Sequence, residues 1–351
     1  MDKRAILLFL IPTLFFHIMS SQDNHENFPV SLSELFLDEE IMNISLSYSN
    51  KDMKKDTNDS TYIHTYLKFE VDELQWDSLE VRLRKRGNFR LKNCSYAPLK
   101  VKIKKKEANK TPFEGHKNLK LVLPCLIQRD MNDNVLKEYL AYKLYEVISP
   151  YHFKTKLVEL NYEELRGNKI KLHEIKAFFI EDDKHVAERI GGKVLKSNIH
   201  PLNHMARESV RNSFFQFMIG NTDFSNAYQH NSKLIFREGE IIPVPYDFDM
   251  AGIVNTSYAT VSQINNEMLS IDKVTQRMYR GFQREPKLFH EVRLEFLNHR
   301  PALLKVIQDC ELLFEDDKEY FSMLLFIEGF FEILMNEEKF ENEILAMARR
   351  K

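Results

Sequence analysis

Two stretches of the sequence carry side chains that could hold a metal ion and activate a hydroxyl group. Residues 220–231 contain an acid, Asp223, followed by amides, and residues 243–249 contain two further acids, Asp247 and Asp249. In metal-assisted phosphoryl transfer, a first Asp takes or orients the attacking proton, while an Asn and a later Asp hold Mg²⁺, which holds the phosphates. The order acid, amide, acid therefore predicts phosphoryl-transfer chemistry.

The surrounding sequence predicts the elements that would position these acids. Residues 206–219 have apolar side chains at helical spacing, and Gly220 follows where a glycine commonly ends a helix. Residues 233–236 and 241–245 are short apolar runs separated by a turn, which predicts a β-hairpin. The prolines of the second run restrict it to an edge or a short stretch. The two acid-bearing stretches should then leave the same end of the hairpin, as a shared divalent cation requires.

The composition is that of a folded protein of substantial size. The chain has 351 residues, of which 43% are hydrophobic, and a formal net charge of −2. This length predicts two domains or lobes, and the charge balance gives no general attraction to nucleic acid or anionic membranes. Only 10 glycines are present, and neither GxGxxG nor GxxxxGK followed by Ser or Thr occurs. The sequence therefore offers no glycine-rich phosphate loop of these two kinds.

The first residues have the pattern of a secretory signal. A basic start precedes an almost wholly apolar run over residues 5–18, and small residues follow. This order is typical of a signal peptide, and the run is short for a membrane span. We expect removal of residues 1–21, a secreted, periplasmic or cell-envelope location, and no membrane span after cleavage. An uncleaved anchor is the alternative.

Three cysteines are present: Cys94, Cys125 and Cys310. In an exported protein, Cys94 and Cys125 could form a disulfide, since both fall in the β-rich part of the chain. The alternative is two buried free thiols, because cysteine is among the most buried residue types. The count and spacing, with no CxxC, argue against a zinc site.

Strand patterns dominate the first third of the chain and helices dominate the end. Alternating or short apolar runs predict strands at residues 41–48, 62–71, 79–84, 99–104 and 118–123. Farther along, two more strands follow a helix, and helices prevail beyond residue 205. We predict an α+β, bilobal protein with a β-rich N-lobe over residues 28–130 and a helix-rich C-lobe over residues 131–351. Clefts between such lobes are where small ligands bind.

Four short motifs in a fixed order resemble the CotH kinase-like family, the spore coat protein H type. The motifs are Arg-Lys-Arg-Gly-Asn at 84–88, Leu-Lys-Glu-Tyr-Leu at 136–140, Gly-Asn-Thr-Asp at 220–223 and Pro-Tyr-Asp-Phe-Asp at 245–249. A more distant similarity is to HipA-type kinases and lipid kinases, and the resemblance runs from about residue 80 to 300. It implies an atypical protein-kinase-like fold that binds ATP with Mg²⁺ or Mn²⁺. It also implies possible phosphate transfer to an envelope or secreted protein.

The resemblance assigns roles to individual residues. Asp223 matches the catalytic acid, Asp247 the metal-binding acid, and Asp249 a possible second carboxylate. Asn231 matches the metal-binding amide because it directly precedes a strand. It lies eight residues after Asp223, as if three residues were inserted, so Asn226 remains the other candidate.

A phosphate-contacting lysine on an N-lobe strand should pair with a glutamate on a helix. Glu138 is the candidate glutamate in the first long helix. Lys102 is the first choice for the lysine, because it follows the Arg-Gly-Asn motif on an alternating strand. Lys104 and Lys120 are its rivals.

Other functions remain open at this level. The chain could be a catalytically inactive kinase-like scaffold of a surface assembly, which the unusual Asp–Asn spacing and the missing glycine loop favour. It could also be a metal-dependent hydrolase that uses Asp223, Asp247 and Asp249 on water. Binding to single-stranded nucleic acid is not expected, because few aromatic residues lie among the basic residues at 82–92.

Overall fold

A computed structural model describes residues 33–72, 75–87, 94–125, 131–262 and 269–350. The predicted signal peptide at residues 1–21 lies outside the described residues, as does Asn88 of the Arg-Gly-Asn motif. Two hydrophobic cores organise the described part: one fills a β-barrel and the other surrounds the long helices.

Seven strands form a closed barrel in the order β1-β2-β3-β4-β5-β7-β6. They are β1 Met42–Tyr48, β2 Ile63–Asp72, β3 Gln75–Lys85, β4 Leu99–Ile103, β5 Asn118–Val122, β6 Thr155–Arg166 and β7 Lys169–Ile180. Neighbouring strands are antiparallel except β1 and β6, which pair in parallel and close the barrel, with Met42 opposite Val158. Because side chains alternate along a strand, every second residue points into the barrel. Val81, Leu83, Val101 and Leu121 fill its interior in this way.

The prediction of a bilobal kinase-like fold is wrong. The first five strands do not form a separate sheet lobe, because β6 and β7, from beyond residue 131, join them in a closed barrel. The physical reason is that residues 157–158 of β6 and 177–180 of β7 are apolar and buried on both faces of the sheet. Val158 and Phe179 point into the barrel core, whereas Leu157 and Phe178 belong to the core around the helices. Strands buried on both faces must be covered on both sides, and the barrel and the helices cover them together.

The predicted pairing of Cys94 with Cys125 is confirmed. The two cysteines form a disulfide that joins the segment before β4 to the segment after β5. Cys310 is a half-buried free thiol, and burial raises its pKa to about 11.

A second, three-stranded antiparallel sheet has the order β10-β9-β8. Its strands are β8 Lys193–Leu195, β9 Ser232–Arg237 and β10 Glu240–Pro245. The predicted hairpin is thus confirmed as β9 and β10, with Pro245 opposite Ser232. As expected from its prolines, β10 is an edge strand.

Helices pack against the barrel and against the second sheet. They are α1 Asn50–Asp56, α2 Lys105–Ala108, α3 Met131–Ile148, α4 Asp183–Arg189, α5 Ala206–Met218, α6 Pro286–Gln308, α7 Asp317–Met335 and α8 Glu337–Phe340, followed by a π-helical turn at Glu341–Leu345. Within the described ranges, none of these helices combines the length and apolar character needed to cross a membrane.

Candidate functional site

The first acid-bearing loop is held in place by a glycine at the end of α5. The predicted helix is confirmed, and Gly220 follows it with φ +64°, a conformation that favours glycine. A Cβ at Gly220 would lie 2.8 Å from Cζ of Phe326 on α7. The Gly252 amide donates to the Gly220 carbonyl at 3.0 Å. The loop is therefore fixed between α7 and the segment that follows the second acid-bearing stretch.

The second acid-bearing stretch leaves the hairpin beside the first. The Tyr246 amide donates to the Asn231 carbonyl at 3.1 Å, and the Asp247 amide donates to Oη of Tyr142 on α3 at 2.8 Å. Asn231 and Asp247 have φ values of +50° and +65°, and Gln229 also has φ +50°. Left-handed backbone at residues other than glycine costs free energy and tends to cluster at functional sites. Here three such residues line one cavity.

Asp223 is the centre of a hydrogen-bond network. Nδ2 of Asn231 donates to its backbone carbonyl at 2.7 Å and to Oδ2 at 3.0 Å, and Ser262 Oγ donates to Oδ1 at 3.1 Å. Nε2 of His230 lies 3.2 Å from the same Oδ1. Burial alone would raise the pKa of Asp223, but the bonds from His230, Ser262 and Asn231 hold it below its ordinary value. The carboxyl group is therefore ionised at neutral pH.

His230 is the partner that sequence reasoning missed. Its hydrogen bond to Asp223 raises its pKa above the ordinary value, burial opposes this shift, and the charge of Asp247 adds to it. His230 is adjacent to Asn231 in the sequence, but a single histidine in a loop does not indicate a function until its hydrogen-bond partner is known.

The four predicted acids and amides converge on one cavity of about 930 Å³. Asp223, Asn231, Asp247 and Asp249 all line it. Asp249 is buried, and Oη of Tyr258 donates to its Oδ2 at 3.1 Å. Other lining residues include Arg86, Gly87, Lys233, Tyr246 and Ser262. The cavity thus joins residues from the barrel, the hairpin and both acid-bearing loops.

The other amide candidate lies elsewhere. Asn226 is buried and lines a separate, very small internal cavity together with Phe224 and Arg280. A side-chain nitrogen of Arg280 donates to the Thr222 carbonyl beside it. The structure therefore brings Asn231, and not Asn226, to the cavity that contains Asp223.

The donor set fits a hard divalent cation. In the described part of the chain, no group of three or more His, Cys, Asp or Glu side chains is placed to hold a metal ion. The cavity nevertheless combines two carboxylates, Asp247 and Asp249, with the amide of Asn231. Because Nδ2 of Asn231 donates to Asp223, its oxygen Oδ1 is the atom able to ligate a cation. Oxygen-only ligands of this kind suit Mg²⁺ and Mn²⁺.

Of the three candidate lysines, only Lys120 lies against a residue that lines the cavity. Its Nζ atom is 4.9 Å from the ring centroid of Tyr246 and 4.7 Å from that of Phe153. Lys102 instead lies over the ring of Tyr62, and Lys104 forms an ion pair with Glu80 at 2.7 Å. The geometry therefore favours Lys120.

The environment of Lys120 is unusual for a lysine. Its Nζ atom is shielded from solvent and has no hydrogen-bond partner among the described residues. Burial lowers its pKa to about 8, and the charge of Arg86 acts in the same direction. Lys120, Lys233 and Lys100 together oppose the effect of burial on Asp183 and hold the pKa of that carboxyl group low. The charges of Asp183 and Asp182 oppose this lowering, so Lys120 lies among both cations and carboxylates.

Glu138 is buried on α3, close to the second acid-bearing stretch. Burial raises the pKa of Tyr142 well above its ordinary value, and the negative charges of Glu138 and Asp247 act in the same direction. No ion pair joins Glu138 to Lys102 or Lys120 within the ranges that the structure covers. The predicted Lys–Glu pair is not formed between these residues in this structure.

Two further cations, Arg86 and Lys233, line the cavity. Arg86 belongs to the Arg-Gly motif, and its amide donates to the Pro98 carbonyl at 2.9 Å. Lys233 is the second residue of β9 and places its Nζ atom 5.5 Å from the centroid of Tyr246. In the sequence, the motif at residues 84–88 indicated Arg86.

Comparison of the chain with protein-family models and with the curated proteins gave no match.

Proposed function

We propose that this protein binds ATP with Mg²⁺ or Mn²⁺ and transfers a phosphate to a hydroxyl group of a protein acceptor. One observation carries the proposal: a single cavity combines an ionised acid, a donor set for a hard cation and two basic side chains. Its volume of about 930 Å³ lies within the usual range for small-molecule sites. The four-motif resemblance to CotH kinase-like proteins points the same way.

Each group of the cavity has a role that follows from its chemistry. Asp247, Asp249 and Oδ1 of Asn231 would hold the cation, which when bound supplies positive charge that neutralises the phosphates. Arg86 and Lys233 line the cavity and would contact phosphate oxygens, and Lys120 adds positive potential from behind Tyr246. Fixed charges of this kind in a partly enclosed site act more strongly than in water.

Asp223 would accept or orient the proton of the acceptor hydroxyl. Its carboxyl group is kept ionised, and Asn231 holds both its backbone and its side chain in place. A general base must lie within hydrogen-bond distance of the proton it takes, in the correct protonation state. The network around Asp223 meets the second condition at neutral pH.

A second function, binding without transfer, is favoured by one observation. Ser262 and His230 both contact Oδ1 of Asp223, and Asn231 contacts Oδ2. A carboxylate with this many partners has less capacity left for an acceptor proton. A scaffold protein that binds nucleotide without turnover would show this arrangement. A metal-dependent hydrolase would need further acidic or histidine ligands, and the described residues offer no such group.

The proposal includes the cellular location of the protein, because the acceptor would be an envelope or secreted protein. Export, with loss of about the first twenty residues, stays a prediction from the signal pattern. Intact-mass measurement after expression in the native host would test it, and a full-length protein in the cytoplasm would contradict it.

The experiment is calorimetric titration of the purified protein with ATP in the presence of Mg²⁺. We expect saturable binding that weakens at least about tenfold in Asp247→Asn, because one ligand charge of the cation is lost. Asn tolerates the positive φ at this position, so the backbone is retained. Asp309→Asn, on an exposed helix end, is the matched control and should bind as wild type does. Equal binding by Asp247→Asn, or no binding by wild type, would refute the proposal.

A further inference from the structure

The outward surface of strands β3–β5 concentrates positive charge. Barrel-facing residues of these strands are apolar, so the alternate residues point away from the barrel. Five of the six paired outward positions are basic: Arg82, Arg84, Lys100, Lys102 and Lys120, with Asn118 as the sixth. We call these five residues the basic face.

Like charges stand directly opposite each other on the basic face. The opposed pairs are Arg82 with Lys102, Arg84 with Lys100, and Lys100 with Lys120. Like charges in direct cross-strand positions destabilise a sheet. An anion that bound across the Arg82–Lys102 and Arg84–Lys100 pairs would remove this repulsion, so the basic face has an energetic reason to bind one.

Direct ion pairs neutralise little of this charge, although the carboxylates of Asp183 and Asp182 act on Lys120 from nearby. Arg84 pairs with Asp59 at 2.8 Å, and the Asp59 side chain is fully exposed. In the ranges that the structure covers, no carboxylate forms an ion pair with Lys100, Lys102 or Lys120. Nε of Arg82 is shielded from solvent and lacks a hydrogen-bond partner there. Buried donors without partners are costly, which again favours an acceptor supplied by a ligand.

The basic face begins at the edge of the candidate site. Lys120 lies against Tyr246, which lines the cavity, and Arg86 of the cavity follows directly after β3. Adjacent strands are about 4.8 Å apart and alternate residues about 7 Å apart, so the basic face spans roughly 10 by 7 Å. Its charges are thus closely spaced and continuous with those of the cavity.

This spacing distinguishes between anionic polymers. Acidic side chains on one face of an extended polypeptide repeat only about every 7 Å, so few would meet the basic face at once. Single-stranded nucleic acid binds through aromatic rings that stack with bases. The Tyr62 ring already has Arg82, Arg84 and Lys102 within 5.9 Å of its centroid. A condensed phosphate chain, with charge on every unit and no bases, matches the basic face better.

We propose that the basic face binds inorganic polyphosphate, with one end of the chain directed to the cavity. The position of that end rests on the proposed function, whereas binding to the basic face does not require turnover. Arginine and lysine form charge-assisted hydrogen bonds with phosphate oxygens, and these are stronger than bonds between neutral groups.

The test compares the binding of tripolyphosphate, long-chain polyphosphate and ATP with Mg²⁺ by calorimetry at moderate salt. The full mature protein, the double variant Arg82→Gln with Lys102→Gln, and a control are measured together. These two residues belong to the basic face but not to the cavity lining. The control is Lys169→Gln with Lys171→Gln, which removes equal charge from an exposed part of β7.

We expect long-chain polyphosphate to bind wild type at least about tenfold more tightly than tripolyphosphate, because it reaches more cations. The basic-face double variant should lose this difference and keep its affinity for ATP, and the control should keep both. The double variant should also melt no lower than wild type, since opposed like charges are removed.

Several results would overturn the proposal. The first is equal affinity of wild type for short and long polyphosphate chains. The second is a loss of the long-chain preference in the control that equals the loss in the basic-face double variant. The third is binding of polyglutamate or single-stranded DNA as tight as that of polyphosphate. Retained ATP binding with no preference for long chains would refute this inference alone. Long-chain binding without ATP binding would refute only the proposed function.

Discussion

The barrel and the cavity depend on opposite features of the sequence. The barrel repeats one pattern, with apolar side chains at every second position. The cavity depends on exceptions: left-handed backbone at Gln229, Asn231 and Asp247, and a glycine that a Cβ would bring against Phe326. The periodic part of the sequence thus stabilises this fold, while the residues that break the period shape the site. Changes in the two regions should therefore separate stability from function.

The largest expected effect is on turnover at the cavity. Asp223→Asn removes the proton acceptor but preserves shape, so phosphate transfer should fall about 10²–10⁴-fold. ATP binding should stay close to wild type, because Asp223 is not assigned to the cation. Transfer of radioactive phosphate, with Asp309→Asn as control, measures it. Unchanged transfer would remove Asp223 from the chemistry, and no transfer by wild type would favour the binding function.

The two amides should differ in the same assay. Asn231→Ala removes a cation ligand and the bonds that hold Asp223, so nucleotide-dependent activity should be lost. Asn226→Ala lies in the separate internal cavity and should keep most of its activity per folded molecule. The opposite ranking would mean that the functional amide has been assigned to the wrong residue.

The disulfide should affect stability and leave binding intact. Opening the bridge between Cys94 and Cys125, 31 residues apart, should lower the free energy of unfolding by about 3–4 kcal/mol through chain entropy. Denaturant unfolding with and without reductant measures this difference, in a Cys310→Ser background that removes the free thiol. Two freely reactive thiols at Cys94 and Cys125 before reduction would contradict the bridge.

A single core truncation in the barrel should have a similar effect. Leu121→Ala leaves a cavity in the barrel core and should cost about 2–5 kcal/mol of unfolding free energy. ATP affinity of the folded fraction should not change. Leu172→Ala, at a side chain that is 73% exposed, is the matched control and should change stability by less than about 0.5 kcal/mol. A large loss in the control would mean that the outer surface of β7 is covered by a partner.

The smallest expected effect is the pH dependence of the Asp223–His230 pair. The pKa of Asp223 is lowered in the folded protein, so its ionised form stabilises the fold above the ordinary value of about 3.8. This stability is lost as the pH falls below that value and through the folded-state pKa. The raised pKa of His230 gives stability that is present below about 6.5 and lost as pH rises through its folded value. His230→Gln should thus lower the melting temperature most between about pH 4 and 6.5, and least above this window. The loss should stay below about 1 kcal/mol because His230 is partly exposed. A larger loss at pH 9 than at pH 5 would contradict the assignment.

Local patterns predicted the individual elements well. The helix before Gly220, the β9–β10 hairpin and the first five barrel strands follow from spacing that is visible within a few residues. The convergence of both acid-bearing stretches was predicted for the same reason, because a short hairpin connects them. Local spacing was therefore sufficient to predict that the two acid-bearing stretches lie side by side.

Long-range pairing could not be predicted in this way. Barrel closure depends on β1 lying beside β6, with Met42 opposite Val158, and no local pattern records that contact. Nor does the local sequence show that α6 continues through Pro301, since a proline inside a helix commonly breaks it; packing between α5 and α7 holds the helix there. Residues 275–280 form no helix, and their position also depends on distant contacts. Arg277 there lies over the Phe326 ring, 3.9 Å from its centroid.

The contact between Gly220 and Phe326 has a consequence for biosynthesis. Helix α7 supplies Phe326 and follows Asp223 by about a hundred residues in the sequence. During translation, the loop that carries Asp223 leaves the ribosome about a hundred residues before that support exists, at roughly 5–20 residues per second. The acid loop can therefore reach its final packing only after α7 has been synthesised. A nascent chain stalled before α7 would carry a formed barrel and an unfinished site.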